Sequence, residues 1–141
     1  MLVNGLDAAA RLLRVRDGEA AHIATGRRGE EAAYFHLRKL GYVMVARNWR
    51  SPRRAGELDL VGWDDGVLCF VEVKTRSSRA VAPAEAAVDA AKQDELAGVA
   101  REFLRRQPDR TPARGDVVSV YVGAAGAPPE VTVFKNAFPL G

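Results

Sequence analysis

The sequence predicts a single α/β domain in the order helix, three strands, helix, two strands, and three observations lead there. Apolar residues recur at helical spacing before Gly41 and again around residues 96–104. Between those stretches lie three β-prone runs joined by short turn sequences, too close together for anything but antiparallel neighbours. Two of these runs, Gly56-Glu57-Leu58-Asp59-Leu60-Val61 and Phe70-Val71-Glu72-Val73-Lys74-Thr75, embed charged residues in apolar surroundings, where an uncompensated charge is expensive to bury.

Residues 1–24 read as an Ala- and Arg-rich leader of helical propensity, interrupted at Asp17-Gly18 and serving either as an extra packed helix or as a mobile basic arm. The domain proper spans 25–141. Its first helix is expected from Thr25-Gly26 to Leu40, with Gly41 as the C-cap. Glu30, Ala33, Tyr34 and Leu37 share its buried stripe, whereas Arg28, Glu31, Arg38 and Lys39 face outward. Glu30 is thus an acid on an apolar stripe, or a first-turn glutamate favoured by the helix dipole. Strands are expected over Tyr42–Trp49, Gly56–Trp63 and Val67–Thr75, with Asp64-Asp65-Gly66 closing a hairpin. Period-2 alternation places Leu68, Phe70, Glu72 and Lys74 on one face and Val67, Cys69, Val71 and Val73 on the other, so this strand is central and covered on both sides. A helix opened by Pro83 and broken near Asp89 reaches Gln107, and two strands, Asp116–Val122 and Val131–Phe134, complete the chain.

Composition excludes several classes. The 141 residues are 48% apolar and 28% charged, enough for one core without disulfides, and the single cysteine, Cys69, lies in an apolar run and packs as a small hydrophobe. No apolar stretch reaches membrane-spanning length, and Asp7, Arg11, Arg14 and Arg16 break what would be a signal-peptide core, so a cytoplasmic protein without membrane contact is expected. The net charge of +3 is small, but its distribution is uneven. Arg47, Arg50, Arg53 and Arg54 precede the first acidic run, Arg76 and Arg79 follow the second, and Lys92 stands one turn before Leu96. Cations on both sides of an acidic centre suit a phosphate backbone held over a metal, and equally a solvated basic rim.

Asp59 and Glu72 are thirteen positions apart across a short hairpin, which brings two carboxylates within reach of one cation. Mg²⁺ or Mn²⁺ held there would neutralise phosphate charge and activate water. Lys74, on the face of Glu72, would orient or help deprotonate that water, and Glu30 would approach from the helix either as a further ligand or through water. Singly, each has an ordinary structural explanation: Asp59 a strand end, Glu72 with Lys74 an ion pair on an edge, and the neighbouring Glu57 a solvated glutamate. Together they form a cluster that stability alone disfavours.

The order Glu30, Asp59, Glu72-x-Lys74 resembles the PD-(D/E)XK nuclease superfamily, in the branch similar to archaeal Holliday-junction resolvases. The series Gly26-Arg27-Arg28-Gly29-Glu30, Ala46-Arg47-Asn48-Trp49-Arg50, Gly56 to Val61, Phe70 to Arg76, Pro83-Ala84-Glu85-Ala86 and Asn136-Ala137-Phe138 resembles the YraN family of small bacterial proteins. That resemblance covers residues 26–138. It implies a restriction-endonuclease-like αβββαβ core with a mixed five-stranded sheet flanked by helices. It also implies that Asp59, Glu72 and Lys74 match the catalytic set and Glu30 the helix-borne acid. Two departures concern contacts, not ligands: the turn Ser51–Ala55 is longer and more basic than the family's, and Gly115 precedes Asp116 where an aromatic is expected. The expected function is a metal-dependent DNA endonuclease, with branched DNA as the candidate substrate and a nucleic-acid-binding module of nuclease fold, or a purely structural acidic cluster, as alternatives. Paired cutting of a junction would call for a homodimer.

Overall fold

The computed structural model describes residues 2–77, 88–124 and 126–141. The elements are α1 (Leu2–Lys39), β1 (Val43–Arg50), β2 (Glu57–Asp64), β3 (Val67–Arg76), α2 (Ala90–Leu104), β4 (Ala113–Tyr121) and β5 (Glu130–Phe138). The strands form one five-stranded sheet in the order β1-β2-β3-β4-β5. Every neighbouring pair is antiparallel except β3 and β4, which run parallel and are linked through α2, so the sheet is mixed as a restriction-endonuclease-like core requires.

Each face of the sheet carries one helix and one core. On the α1 face Ala33 and Leu37 meet Leu60, Cys69, Val71, Val73, Val118 and Val120, while on the α2 face Leu96, Val99 and Ala100 meet Leu58, Val61, Leu68, Phe70 and Val117. The two faces of β3 divide as alternation predicts. Because both are apolar, β3 is buried along most of its length, and Glu72 within it is only 5% exposed.

Local chemistry sets the element ends. Gly41, at φ 98°, closes α1 as its N–H bonds to the Arg38 carbonyl and the Tyr42 N–H to that of Leu37, the paired bonds of a Schellman cap. Asp65 and Gly66 both take positive φ and join β2 to β3 in two residues. The Asp89 carboxylate accepts from the Lys92 N–H at 2.8 Å and starts α2, while the stretch opened by Pro83 lies outside the described residues.

Two expectations are corrected. Helix α1 does not begin at Thr25-Gly26 and is not interrupted at Asp17-Gly18, because it is continuous from Leu2. The Thr25 hydroxyl donates to the Ala21 carbonyl at 2.9 Å, the back-bond of a threonine inside a helix. Strands β4 and β5 are also longer than expected. Strand β5 continues through a bulge at Asn136, whose N–H bonds to the buried Asp116 carboxylate at 2.8 Å, and the Phe138 ring covers Gly115. The aromatic expected beside Asp116 is therefore supplied from β5.

That packing generates a prediction. A Cβ at Gly115 would collide with the Phe138 ring, so Gly115→Ala should destabilise the protein by about 1–3 kcal/mol, read as a lower urea midpoint at unchanged m-value.

Candidate active site

The sheet opens at one end. Pairing between β2 and β3 runs from Asp64↔Val67 to Leu60↔Val71, and among the described residues it goes no further. Strand β3 stays paired to β4 as far as Arg76↔Tyr121, and β2 stays paired to β1 as far as Glu57↔Arg50. The result is a notch between two rigid halves. Asp59 fills it: its Oδ2 accepts the Val73 N–H at 2.8 Å, standing in for the backbone carbonyl that a continued ladder would have provided.

Glu30 reaches the notch from α1, where Gly29 lets the helix backbone lie against β3, since a Cβ there would overlap the Thr75 side chain. Oxygens of Glu30, Glu57 and Asp59 lie within 4.8 Å of one another. Glu72 projects from β3 beside Asp59 and is ion-paired with Lys74 at 3.4 Å. Asn48 sits in β1 at φ 50°, a conformation asparagine tolerates. With its amide turned to satisfy both partners, its Nδ2 lies 3.2 Å from Glu30 Oε2 and 2.9 Å from Glu57 Oε1. A cleft of about 200 Å³ opens beside Glu30, lined by His22, Thr25, Gly26, Val73 and Thr75.

Electrostatics follow from this crowding. Burial raises the pKa of Asp59, and the Glu72 and Glu30 carboxylates push it the same way against the Val73 N–H, which favours the charged form. Glu30 is raised by burial and by Glu57, with Arg47 opposing. Lys92, on the first turn of α2, would be lowered by burial, but Glu72, Glu95 and Asp59 outweigh that and raise it, and its Nζ lies 3.2 Å from Glu95 Oε2. Like charges therefore crowd the notch, and either a bound proton or a cation relieves them. The donor set fits a hard divalent cation: carboxylates from three elements, two of them, Asp59 and Glu30, destabilised as anions.

Sequence reasoning brought Glu30, Asp59, Glu72 and Lys74 to one place, and there the structure puts them. It gave Glu57 no role beyond a solvated glutamate as one explanation, although the two-residue spacing to Asp59 was a signal that both share a strand face. Asn48 left no signal, since its role depends on a backbone twist in β1. Lys92, expected among nucleic-acid contacts, lies at the acidic centre. The arginines disperse. Arg50 pairs with Glu57 at 2.7 Å, Arg47 lies 4.4 Å over the Tyr34 ring, and Arg54 lies 3.9 Å from Glu102. The Arg53 N–H bonds to the Ser51 hydroxyl and Arg76 is partly buried at the end of β3, while Arg79 lies outside the described residues.

Comparisons with known proteins find a family model and several relatives of this chain. A family model described as "Uncharacterised protein family UPF0102" matches residues 29–120. A UPF0102 protein of Koribacter versatilis is 54% identical over 122 residues, covering 86% of this chain and 84% of its own length. Relatives of the same name from Solibacter usitatus and Porphyromonas gingivalis are 47% and 42% identical, covering 80% and 86% of this chain and 84% and 88% of their own lengths.

The raised Asp59 pKa has a consequence for stability without metal. The folded state binds this proton more tightly than the unfolded chain does, so ionisation costs stability progressively as pH climbs from the ordinary aspartate range through the raised folded value. Asp59→Asn keeps an acceptor for the Val73 N–H and carries no charge. In EDTA its stability relative to wild type should grow as pH rises from 4 to 8, by about 1.4 kcal/mol for each pKa unit of the wild-type shift. Urea titrations of both proteins across that range check this, and a constant difference contradicts it.

Proposed function

The chain belongs to the uncharacterised protein family UPF0102, and we propose that it is a divalent-metal-dependent DNA endonuclease whose natural substrates are branched or otherwise structured DNA. The observation that carries this reading is the Asp59 carboxylate, half-buried in a notch of the sheet against Glu72, Glu30 and Glu57. Such an arrangement is costly without a cation, and it lies beside a cleft.

In this reading Glu30, Glu57 and Asp59 hold the metal and Glu72 stands next to them. When bound, Mg²⁺ or Mn²⁺ supplies charge neutralisation at a phosphate and makes water more acidic. The protein's own groups do the positioning. The Val73 N–H fixes one Asp59 oxygen and so turns the other toward the notch. Lys74, anchored by Glu72, holds a positive charge beside the acids, orients the attacking water and offsets the phosphate's charge. Lys92 adds a second ammonium from the α2 face. Among the described residues no helix is long and apolar enough to cross a membrane.

A second reading, a nucleic-acid-binding module with little or no hydrolysis, is favoured by one observation: Lys74 and Lys92 are already engaged with Glu72 and Glu95. Incubation with linear, single-stranded, flap and four-way DNA, with Mn²⁺ or EDTA, separates the two. The endonuclease reading predicts Mn²⁺-dependent cleavage that Asp59→Asn and Lys74→Met each reduce at least about 100-fold while Lys74→Met keeps DNA affinity near wild type. Binding without cleavage by wild type supports the module instead.

Calorimetric titration with Mn²⁺ tests the metal separately. Wild type should bind one ion saturably and Glu57→Gln and Asp59→Asn should each weaken it about tenfold or more, whereas unchanged binding in both removes the metal site.

A further inference from the structure

A second polar concavity lies away from the acidic centre. It is a pocket of about 420 Å³ between the C-terminal turns of α2, the β1–β2 turn and the loop at 107–111, lined by Arg54, Arg101, Arg105 and Arg110 with Glu102 and Asp109. Four guanidinium groups against two carboxylates leave excess positive charge. One of those carboxylates is already shared: Glu102 Oε1 lies 3.5 Å from Arg105 and 3.9 Å from Arg54, and its side chain is 13% exposed, while the two arginines are more than half exposed. Arg101 donates to the Leu140 carbonyl at 2.9 Å, which fixes its guanidinium at the rim.

Gly98 is the second observation. It lies inside α2, where glycine costs about 1 kcal/mol relative to alanine, and a Cβ there would come within 2.6 Å of Arg54 Nη1. The missing side chain makes the bed on which the Arg54 guanidinium rests.

The pocket is also aligned with the acidic centre. Lys92, Glu95, Gly98, Glu102 and Arg105 follow one another at three- and four-residue steps, so they form one stripe of α2. That stripe faces the β1–β2 turn: Gly56 packs on Glu95 and Val99, and Arg54 on Gly98. From Lys92 to Glu102 the helix rises about 15 Å, roughly four nucleotide steps along a duplex strand.

We infer that this arginine pocket is a second phosphate-binding site, which holds the backbone of the nucleic acid about four nucleotides from the acidic centre and fixes the direction in which the strand crosses it. The inference rests on the nucleic-acid reading of the centre and deepens it, but it does not depend on hydrolysis. Its ligand is a phosphodiester, recognised by guanidinium groups through charge and paired N–H donors, without base contacts.

The test is fluorescence anisotropy in EDTA with a labelled duplex of about 20 base pairs over a salt series. Arg54→Ala/Arg105→Ala should weaken binding about tenfold and lower the slope of log K against log salt by about 2, one for each lost phosphate contact. Gly98→Ala should displace the Arg54 guanidinium and weaken binding several-fold, with helical circular dichroism at least as strong as wild type. Wild-type affinity and slope in both variants overturn the pocket and leave the endonuclease reading standing. Wild-type protein that binds no DNA overturns both. Calorimetry with inorganic phosphate covers the remaining source: phosphate binding lost in the double variant, with DNA affinity intact, marks a small-anion site and also overturns the inference. DNA binding that depends on the pocket, with no cleavage under any condition, supports the pocket and removes only the hydrolytic reading.

Discussion

One hydrogen bond organises this molecule: the Val73 N–H to the Asp59 carboxylate, 2.8 Å long, at the point where β2 leaves β3. Had the ladder continued past Leu60↔Val71, a backbone carbonyl would have taken that N–H, and Asp59 would have faced an apolar core. The side chain takes the carbonyl's place, which lets the strands part without orphaning a buried donor and leaves the second carboxylate oxygen for the notch. The opening is stable because its two walls are held from outside. Strand β4 pairs with β3 along its whole length, and β1 pairs with the departing end of β2.

The opposite end of the sheet shows what buried charge looks like when it serves stability. There Arg114 donates to Asp116 at 2.9 and 3.1 Å, to Asp64 at 2.7 Å and to the Tyr42 hydroxyl at 3.0 Å, and Lys135 adds a bond to Asp64 at 3.0 Å. Its hydrogen bonds to Arg114 and Lys135 hold Asp64 below the usual carboxylate range, whereas Asp59 is pushed above it. Both groups belong to strand β2. Opposite shifts five residues apart arise because one end brings cations to the acids and the other brings acids to one another. Among the described residues the ion pairs at the notch go to Glu57 and Glu72, while Glu30 and Asp59 have hydrogen bonds only. That contrast separates a network in which the acids are neutralised by cations from a cluster in which acids crowd one another.

Close packing sets where the helices stand. Gly29 brings α1 against Thr75 and so carries Glu30 to the notch, and Gly56, at φ 112°, lets α2 approach the β1–β2 turn and so brings Lys92 to the same place. These glycines are separated by 27 positions in sequence, yet each has the effect of advancing one charged side chain toward a common point.

The sequence alone determined whatever depends on neighbours along the chain. Periodicity placed the three strands of the first sheet half, and the Asp65-Gly66 turn fixed their hairpin. Alternation put Glu72 with Lys74 on one face, and helical spacing put Glu30 over the sheet. Both are local rules with one dominant period, so they survive without knowledge of the rest of the fold. Tertiary structure alone decided what depends on partners far apart in sequence. The separation of β2 from β3 requires β4 and β1 to hold them elsewhere. Asn48 requires a twist in β1 to face Glu30 and Glu57, and Lys92 requires α2 to cross the sheet at Gly56. Arg54 and Arg105 share Glu102 only because the β1–β2 turn folds onto α2. Continuity of α1 through Gly18 and Gly26 was likewise undecidable locally, because glycine weakens a helix by about 1 kcal/mol and does not forbid it. Charge and periodicity name the residues that need compensation, but only packing brings the compensating partner within reach.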